Sequence, residues 1–265
     1  MNSQDYKYIT CKVEDRIATV VINRPEVSNA IDRDVLAEIQ NAFKWCDAAD
    51  EVGVIVLTGA GKNFSAGGNL KSFKVILDSG GYIHKEELEY AAEVSWDIHT
   101  NSKPTIAMIN GAAVGAGASI AAACDFRVFG ASSRFIMAFI NVGLSGDSGS
   151  IYYLTKLVGV AKSMEIMMTG DPVGAEEAMK IGLANKTAED DKLSEATYQF
   201  AKKFARGPSF AYRCQKDIFS KIFYPDHGLY SKIECQYLED CSKNPDFKEA
   251  VDAFIEKRQP VFAKK

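Results

Sequence analysis

A run of very small residues is the feature that most constrains the fold of this chain. Residues 104–110 are apolar and predict a buried strand, which Gly111 closes. From residue 115 to residue 124 nearly every residue is Gly or Ala, and this predicts a helix packed at close range against its neighbours. Because the whole run is poor in large aliphatic side chains, we expect close packing in a core and no membrane span.

Strand and helix patterns alternate up to Gly149. Residues 6–13 and 17–23 alternate in polarity on either side of the charged residues 14–16, which predicts a β-hairpin. Asp32 is placed to cap a helix whose apolar residues recur at helical spacing. The other elements predicted in this half are strands at 52–58, 104–110, 125–129 and 134–139 and helices at 86–100 and 115–124. This alternation predicts an α/β core.

Beyond Gly149 the strand patterns fade and helical patterns dominate. The predicted helices are 152–158, 162–168, 175–181, 192–206, 210–223, 229–241 and 247–258. A helical C-terminal region therefore follows the α/β core.

Charge and composition exclude several classes of function. A formal net charge of −4 leaves no basic surface for nucleic acid and no polybasic membrane anchor. The six Cys form no CxxC pair and only three His are present, so we expect neither a metal site nor a disulfide framework. The polar residues 1–5 do not resemble a signal peptide, and together with the unpaired Cys they predict a cytoplasmic protein.

Two glycine-rich loops each follow a strand and precede a helix, at residues 63–70 and 110–118. In such loops backbone N–H groups can point outward unpaired, and a helix N-terminus adds positive potential. A ligand anion or a developing oxyanion would be stabilised there. The alternative is that the small residues serve only the tight packing of helix against strand.

Other motifs give weaker matches. Residues 115–117 begin a GxGxxG pattern, but Ile120 occupies the position of its third Gly, and no GxxxxGK[ST] is present. Residues 146–149 (GDSG) are like the segment around a chymotrypsin-type serine. None of the three His stands in a context that matches a catalytic triad, and the α/β pattern does not suit a β-barrel protease.

Several short motifs, taken in order along the chain, resemble those of the crotonase superfamily, the enoyl-CoA hydratases and isomerases. The resemblance covers about residues 8–262. The segments that carry it are 21–25 (VINRP) with Asn29 and Ala30, 64–70 (FSAGGNL), 103–111 (KPTIAMING), 115–117 (GAG), Cys124 with Asp125, 168–170 (MTG), 175–178 (AEEA) and 182–183 (GL). One such match is weak, but this many in the family's order form a specific signal.

The resemblance implies a crotonase-like spiral of ββα repeats over residues 1–198 and a helical trimerisation region over residues 199–265. It implies a homotrimer or a hexamer made of two trimers, an acyl-CoA thioester as substrate, and no permanently bound cofactor. In the family two backbone N–H groups bind the thioester oxygen, and they correspond here to Gly68 and Ala116.

The resemblance also implies an acyl pocket with walls from the irregular segment 72–90 and the C-terminal helices. The further residues that it assigns to substrate binding are Arg24, Ala66, Asn69, Leu70, Lys71, Phe139 and Lys257. Asn69 stands where Asp is usual in the family, and Ala116 stands where Gly is usual.

The acid–base positions of the family's hydratases depart from the usual pattern. Two glutamates are usual there, and Ser119 and Phe139 stand in their places. Hydration requires a group that activates water and a means of delivering a proton to the α-carbon. Neither side chain supplies these, so the resemblance favours a reaction that needs a single carboxylate.

Asp147 supplies such a carboxylate, in a segment (142–149, VGLSGDSG) that is similar to one in the family's isomerases, although Gly146 replaces the usual Pro. One carboxylate suffices to take a proton from the γ-carbon and return it at the α-carbon. Burial near Phe139 is expected to raise the pKa of Asp147. Asp147 could alternatively cap the helix that follows it, and the two roles are not exclusive.

Other functions within the family stay open. In its 4-chlorobenzoyl-CoA dehalogenases the same Asp is a nucleophile, but Ala92 and Phe139 replace the His and Trp of those enzymes. A hydratase, a lyase, a decarboxylase or an inert acyl-CoA-binding relative are the remaining alternatives. His84, in a predicted loop at 78–85, is expected to be solvated, and Asp125 to be structural.

Overall fold

The first two strands form the hairpin that the sequence predicts. Asp15 and Arg16 both adopt left-handed backbone conformations, with φ of 50° and 65°, so Glu14 pairs directly with Ile17. The computed structural model describes residues 6–262, and the polar residues 1–5 as well as residues 263–265 lie outside this range.

Nine strands and eleven α-helices are described between these limits. The strands are β1 (Ile9–Glu14), β2 (Ile17–Ile22), β3 (Val54–Gly59), β4 (Thr105–Ile109), β5 (Ala112–Val114), β6 (Phe126–Gly130), β7 (Arg134–Ile136), β8 (Val173–Gly174) and β9 (Lys186–Ala188). The helices are α1 (Arg33–Ala48), α2 (Leu70–Asp78), α3 (Lys85–Thr100), α4 (Ala116–Ala123), α5 (Ser150–Val158), α6 (Val160–Thr169), α7 (Ala175–Lys180), α8 (Leu193–Ala205), α9 (Ser209–Phe223), α10 (His227–Lys243) and α11 (Pro245–Glu256). Short 3₁₀ turns occur at Pro25–Val27, Ile140–Val142 and Asp190–Lys192.

The strands form two sheets. The larger sheet has the order β1-β2-β3-β4-β6-β9, and all of its pairs are parallel except β1 with β2. The smaller sheet has the order β5-β7-β8. All six residues of β3 are buried, as expected for a parallel strand that is covered on both faces.

Successive segments pass from the larger sheet to the smaller layer and then into a helix. The chain runs β4–β5–α4 and then β6–β7–α5, while β3 leads through a single bridge at Ser65 into α2. These ββα turns form the predicted α/β spiral.

Helix α4 confirms the close packing that its small residues predict. All eight of its residues are buried. A Cβ atom added at Gly117 would lie 2.6 Å from the Cβ of Ser65, so only Gly allows this approach of helix to loop. Asp32 caps α1, as predicted, because its side chain accepts a hydrogen bond from the Val35 N–H at 3.2 Å.

Several elements differ from the sequence predictions. The segment expected to be irregular, residues 72–90, overlaps helix α2, which is capped by Asn69. A loop up to His84 then leads into α3. The strand predicted at 134–139 ends at Ile136. Beyond Gly149 the two short strands β8 and β9 were not predicted, because two or three residues are too few to show an alternating pattern.

The C-terminal helices divide into two groups. Helix α8 packs on the larger sheet and shares a small core with it, so the predicted boundary at residue 198 falls inside this helix, and the division itself stays a prediction. Helices α10 and α11 pack on α3 and α2, and therefore cover the side of the molecule where the glycine-rich loops end. No helix within residues 6–262 is long and apolar enough to cross a membrane.

Candidate active site

A cavity of about 560 Å³ lies between the two glycine-rich loops, α2, α3 and α10. Apolar side chains dominate its walls, among them Leu36, Phe73, Ile83, Leu88, Leu144 and Leu238. Such a volume lies within the range of small-molecule sites. The predicted walls, from the segment after residue 72 and from a C-terminal helix, are thus both present.

The two glycine-rich loops run side by side at one end of this cavity. The Ser65 N–H donates to the Ala112 carbonyl at 3.1 Å, and the Val114 N–H donates to the Ser65 carbonyl at 2.9 Å. This parallel pairing brings Gly68 and Ala116 to the same cavity wall. Within the described chain neither of their N–H groups donates a hydrogen bond to another residue.

The tight-packing interpretation is confirmed for part of these loops, while the oxyanion interpretation stays a prediction for Gly68 and Ala116. A Cβ at Gly67 would lie 2.5 Å from the Val114 carbonyl oxygen, and φ at Gly67 is +80°, so this Gly permits the contact between the loops. Gly68 and Ala116 face the cavity instead. The close packing of Gly67 against Val114 therefore sets the positions of Gly68 and Ala116.

Asp147 lines the cavity from the loop that precedes α5. Its Oδ1 atom is shielded from solvent and has no hydrogen-bond partner within the described chain. Burial, followed by the charge of Glu234, raises the pKa of Asp147 to about 7. A carboxyl group with such a pKa exchanges protons readily at neutral pH.

The alternative role of Asp147 as a helix cap is wrong. Gly149, in the left-handed conformation, occupies the cap position of α5, and no side chain caps this helix. Only the main-chain oxygen of Asp147 takes part, accepting from the Ser150 N–H at 3.0 Å. Asp147 lines the cavity, and its carboxyl group does not serve as the helix cap.

The two positions where family hydratases carry glutamate are apolar or inward-facing here. The Ser119 hydroxyl is fully buried and donates to the Gly115 carbonyl oxygen at 3.2 Å. Phe139 lines the cavity and is only 6% exposed. Neither position brings an acid–base group to the cavity.

Two other carboxylates line the cavity, and both form ion pairs. Asp32 contacts Arg24 at 2.6 Å, and Glu87 contacts Arg33 at 2.8 Å. Among the cavity carboxylates within residues 6–262, Asp147 alone lacks an ion-pair partner.

The residues assigned to substrate binding by resemblance separate into two groups. Those that line the cavity are Ala66, Gly68, Asn69, Leu70, Ala116 and Phe139. Arg24, Lys71 and Lys257 lie outside its lining. The Arg24 guanidinium is held by Asp32 and the Ala30 carbonyl, and Lys257 ends α11, so contacts of these two residues with coenzyme A stay predictions.

The surroundings of the other candidate residues do not indicate a catalytic role. His84 is exposed at the cavity rim, just before α3. Asp125 accepts from Thr105 and forms a 2.6 Å ion pair with Lys216 of α9, which agrees with a structural role. The Ser148 hydroxyl has no hydrogen-bond partner among the described residues, so no histidine activates it as in a serine hydrolase.

Glu234 is the site residue that the sequence analysis missed. It lies on α10, and its carboxylate accepts a hydrogen bond from the Gly149 N–H at 2.9 Å, across 85 positions of sequence. No local motif marks such a residue, because its partners belong to another element. Its burial at 6% exposure is visible only in the folded chain.

The sequence profile described as enoyl-CoA hydratase/isomerase matches residues 12–265 of this chain. The chain belongs to the enoyl-CoA hydratase/isomerase family. Within this family it is similar to the trans-2-decenoyl-[acyl-carrier-protein] isomerase of Streptococcus mutans, with 32% identity covering 98% of this chain and 100% of that protein. It is also similar to the short-chain-enoyl-CoA hydratase of Clostridium acetobutylicum, with 30% identity covering 93% of this chain and 94% of that protein.

Solved structures of family members share the whole fold. An enoyl-CoA hydratase from Mycobacterium avium subsp. paratuberculosis superposes with a TM-score of 0.87, at 25% identity, covering 97% of this chain and 99% of that one. The predicted crotonase-like α/β fold is confirmed. Among the described residues, no cluster of three or more His, Cys, Asp or Glu is arranged to hold a metal ion.

Proposed function

We propose that this family member is an isomerase that shifts a double bond in an enoyl thioester, with Asp147 as its acid–base group. The observation that carries the proposal is that Asp147 is the cavity carboxylate without an ion-pair partner, while Ser119 and Phe139 occupy the hydratase glutamate positions. The Streptococcus mutans relative is named as an isomerase, which supports the same class of reaction.

In the proposed reaction the Asp147 carboxylate removes a proton from the α-carbon of a 3-enoyl thioester. The electron pair of that C–H bond forms a π bond between the α-carbon and the thioester carbon of a dienolate, and negative charge collects on the thioester oxygen. Asp147 then delivers a proton to the γ-carbon as the thioester carbonyl re-forms, which leaves the double bond between the α- and β-carbons. In the reverse direction, from a 2-enoyl thioester, the proton is taken from the γ-carbon and returned at the α-carbon. Protons and electrons balance, so the step uses no oxidant or reductant.

The N–H groups of Gly68 and Ala116 would stabilise the dienolate oxygen. Both face the cavity without an acceptor in the described chain, and Ala116 is the first residue of α4, where the helix dipole favours negative charge. A donor of this kind typically contributes about 2.7–4 kcal/mol to the transition state. The pKa of Asp147 near 7 suits a group that must both accept and return a proton.

Hydration is the second candidate function, since relatives such as the Clostridium acetobutylicum protein are named hydratases. Addition of water needs a base for water as well as an acid for the α-carbon, and Asp147 would have to serve both. An inert thioester-binding protein is the third, and the unpaired Asp147 argues against it.

We also propose that the protein assembles as a trimer or as two trimers. Helix α9 has no buried residue, and large apolar side chains are exposed along it and α10, among them Phe210, Ile218, Phe219, Ile222, Leu229 and Tyr237. Apolar surface of this extent is typical of a protein–protein interface. A cytoplasmic location stays a prediction from the sequence.

An ultraviolet assay tests the reaction. Mixing the protein with a 3-enoyl-CoA is expected to increase the absorbance of the conjugated thioester, whereas a hydratase would remove that absorbance from a 2-enoyl-CoA. Repeating the assay with the same acyl group attached to acyl carrier protein compares coenzyme A with acyl carrier protein as the thioester carrier. Comparable hydratase and isomerase rates would contradict the proposal.

A further inference from the structure

We propose that Glu234 is a positioning residue for this reaction, which holds the turn after Asp147 and sets the pH range in which Asp147 accepts a proton. The inference rests on the proposed function, because it concerns how the acid–base group is tuned. It starts from the surroundings of the Glu234 carboxylate, which no family motif in the sequence includes.

Three donors surround the Glu234 carboxylate. Its Oε2 accepts from the Gly149 N–H at 2.9 Å. Its Oε1 accepts from the Ser150 hydroxyl at 3.0 Å and from the Tyr230 hydroxyl at 2.5 Å. Within residues 6–262 no Lys or Arg forms an ion pair with it, although Glu234 is 6% exposed. A buried carboxylate without a cation requires a specific reason.

The two buried carboxyl groups have opposite hydrogen-bonding environments. Glu234 accepts three hydrogen bonds, each of which stabilises its charged form. The Oδ1 atom of Asp147 has no donor among residues 6–262. Burial raises the pKa of both groups, and several hydrogen bonds to Glu234 oppose this, whereas only the neighbouring Ser148 opposes it for Asp147. The larger number of donors favours the ionised form of Glu234, with a proton shared by the pair on Asp147.

The charge of Glu234 then acts on Asp147. Glu234 bonds to the main chain only two residues beyond Asp147, and after burial its charge is the main influence that raises the pKa of Asp147. A higher pKa makes the Asp147 carboxylate a stronger base toward a carbon acid. The hydrogen bonds to Gly149 and Ser150 also fix the turn on which Asp147 is presented to the cavity.

Other ionisable groups face this pair from the neighbouring elements. Those nearby on α5 and α10 are Tyr153, Tyr230 and Cys235, and those across the cavity are Asp32, Arg33, Tyr82, His84 and Glu87. The pKa of Tyr153, Tyr230 and Cys235 is raised by burial, so these three stay neutral at neutral pH. Asp32 and Glu87 are paired with arginines. His84 also lines the cavity, so it needs its own control.

The test is the pH dependence of kcat/KM for 3-enoyl-CoA isomerisation in the wild type and in Glu234→Gln. The amide keeps the shape of the side chain and can still accept from Gly149, while the Ser150 and Tyr230 hydroxyls rotate to accept from it. We expect the acid limb, near pH 7 in the wild type, to move down by about one unit or more. A merely structural role would lower the rate without moving this limb.

Two control variants isolate the effect. Glu239→Gln removes a charge from the same helix at a residue that contacts Lys85 and Lys243, and it should leave the acid limb in place. His84→Asn should also leave it in place. If Glu234→Gln does not fold, Tyr230→Phe removes one donor from Glu234 and should move the limb by a smaller amount, and an unmoved limb in this folded variant would contradict the inference.

A second readout separates this inference from the proposed reaction. The carboxyl carbon of Asp147 is followed by NMR in ¹³C-Asp-labelled protein and is assigned by its loss in Asp147→Asn. A lower pKa of Asp147 in Glu234→Gln supports the inference even if the wild type catalyses no isomerisation, which would overturn only the proposed function. An unchanged pKa and an unchanged acid limb in a folded Glu234→Gln variant would overturn the inference.

Discussion

Ser65 and Ala113 form a parallel β-bridge, and each lies three residues before a cavity-facing amide, that of Gly68 or of Ala116. One pair of main-chain hydrogen bonds, at 3.1 and 2.9 Å, thus joins the two loops, and the Ser65 hydroxyl supports the same loop by accepting from the Gly67 N–H at 3.1 Å. The oxyanion site that we propose here depends directly on the two N–H groups.

Replacing Ala116 by Pro should reduce isomerisation by about 100-fold to 1,000-fold, the effect of losing one oxyanion donor. Ala116 is the first residue of α4, a position where Pro suits a helix, so the fold should persist. Ala116→Gly, which keeps the N–H, is the matched control and should retain nearly normal turnover. Undiminished turnover in a folded Ala116→Pro variant would show that this amide does not bind the oxygen.

Asp147→Asn should reduce turnover by about 100-fold or more, because it removes the proposed acid–base group while keeping its size. With a 3-enoyl-CoA in deuterated solvent the wild type should incorporate deuterium at the γ-carbon of the product, and the variant should not. Glu87→Gln is the control, since Glu87 lines the same cavity but is paired with Arg33. Near-normal turnover in Asp147→Asn would move the acid–base role to another residue.

The raised pKa of Asp147 should also make the wild type less stable as the pH rises. The unfolded chain loses this proton near its ordinary pKa of about 4, while the folded chain keeps it up to about pH 7. Between these two pH values the folded state binds more protons than the unfolded state, so the free energy of unfolding falls as the pH rises. Above about pH 7 this contribution no longer changes with pH. Asp147→Asn has no carboxyl group to lose a proton, so its free energy of unfolding does not fall in this way. Relative to the wild type, its free energy of unfolding should rise by on the order of 2–4 kcal/mol between about pH 4 and pH 8.

This stability difference is measured by urea unfolding at several pH values and at one fixed protein concentration. Glu87→Gln again serves as the comparison. A difference between Asp147→Asn and the wild type that does not change with pH would contradict the raised pKa.

Gly67 and Gly80 allow the contact between the loops to be separated from backbone strain. Both have positive φ, of 80° and 76°, but a Cβ at Gly80 would meet nothing within 4 Å. Gly80→Ala should lower the free energy of unfolding by about 1–2 kcal/mol from strain alone. Gly67→Ala should lower it by more than about 3 kcal/mol and should impair turnover, because it displaces the loops. Equal effects of the two substitutions would contradict the close approach.

Assembly can be tested by light scattering. We expect a mass of three or six times the 29.0 kDa of one chain. Phe219→Asp on α9 should dissociate the assembly, whereas Val75→Asp on α2 should not, although Val75 is 71% exposed and Phe219 is 59% exposed. A monomeric wild type at micromolar concentration would contradict the proposed trimer.

Local signals in the sequence predicted much of the fold. The hairpin, the Asp32 cap and the close packing of α4 all follow from residues near one another in the chain, so pattern and composition sufficed. The pair of glycine-rich loops was likewise visible before their contact was known.

Features that depend on distant partners could not be predicted. Helix α2 is an exception, because its nine residues are amphipathic and a local pattern could have predicted it, but its capping residue Asn69 was noticed only as a departure from the family. Gly149 adopts a left-handed conformation, which Gly favours, but the sequence alone does not show that Gly149 takes the cap position instead of Asp147. Glu234 becomes meaningful only when α10 is docked beside α5.

The docking of α10 has a consequence for the order of events during protein synthesis. Translation delivers both sheets, the glycine-rich loops and Asp147 before α10, which carries Glu234 and Leu238. Until that helix emerges, the cavity lacks a wall and the turn at Gly149 lacks its carboxylate anchor. The nascent chain therefore holds the two glycine-rich loops before the cavity is closed, and the catalytic centre that we propose cannot be complete before α10 has left the ribosome.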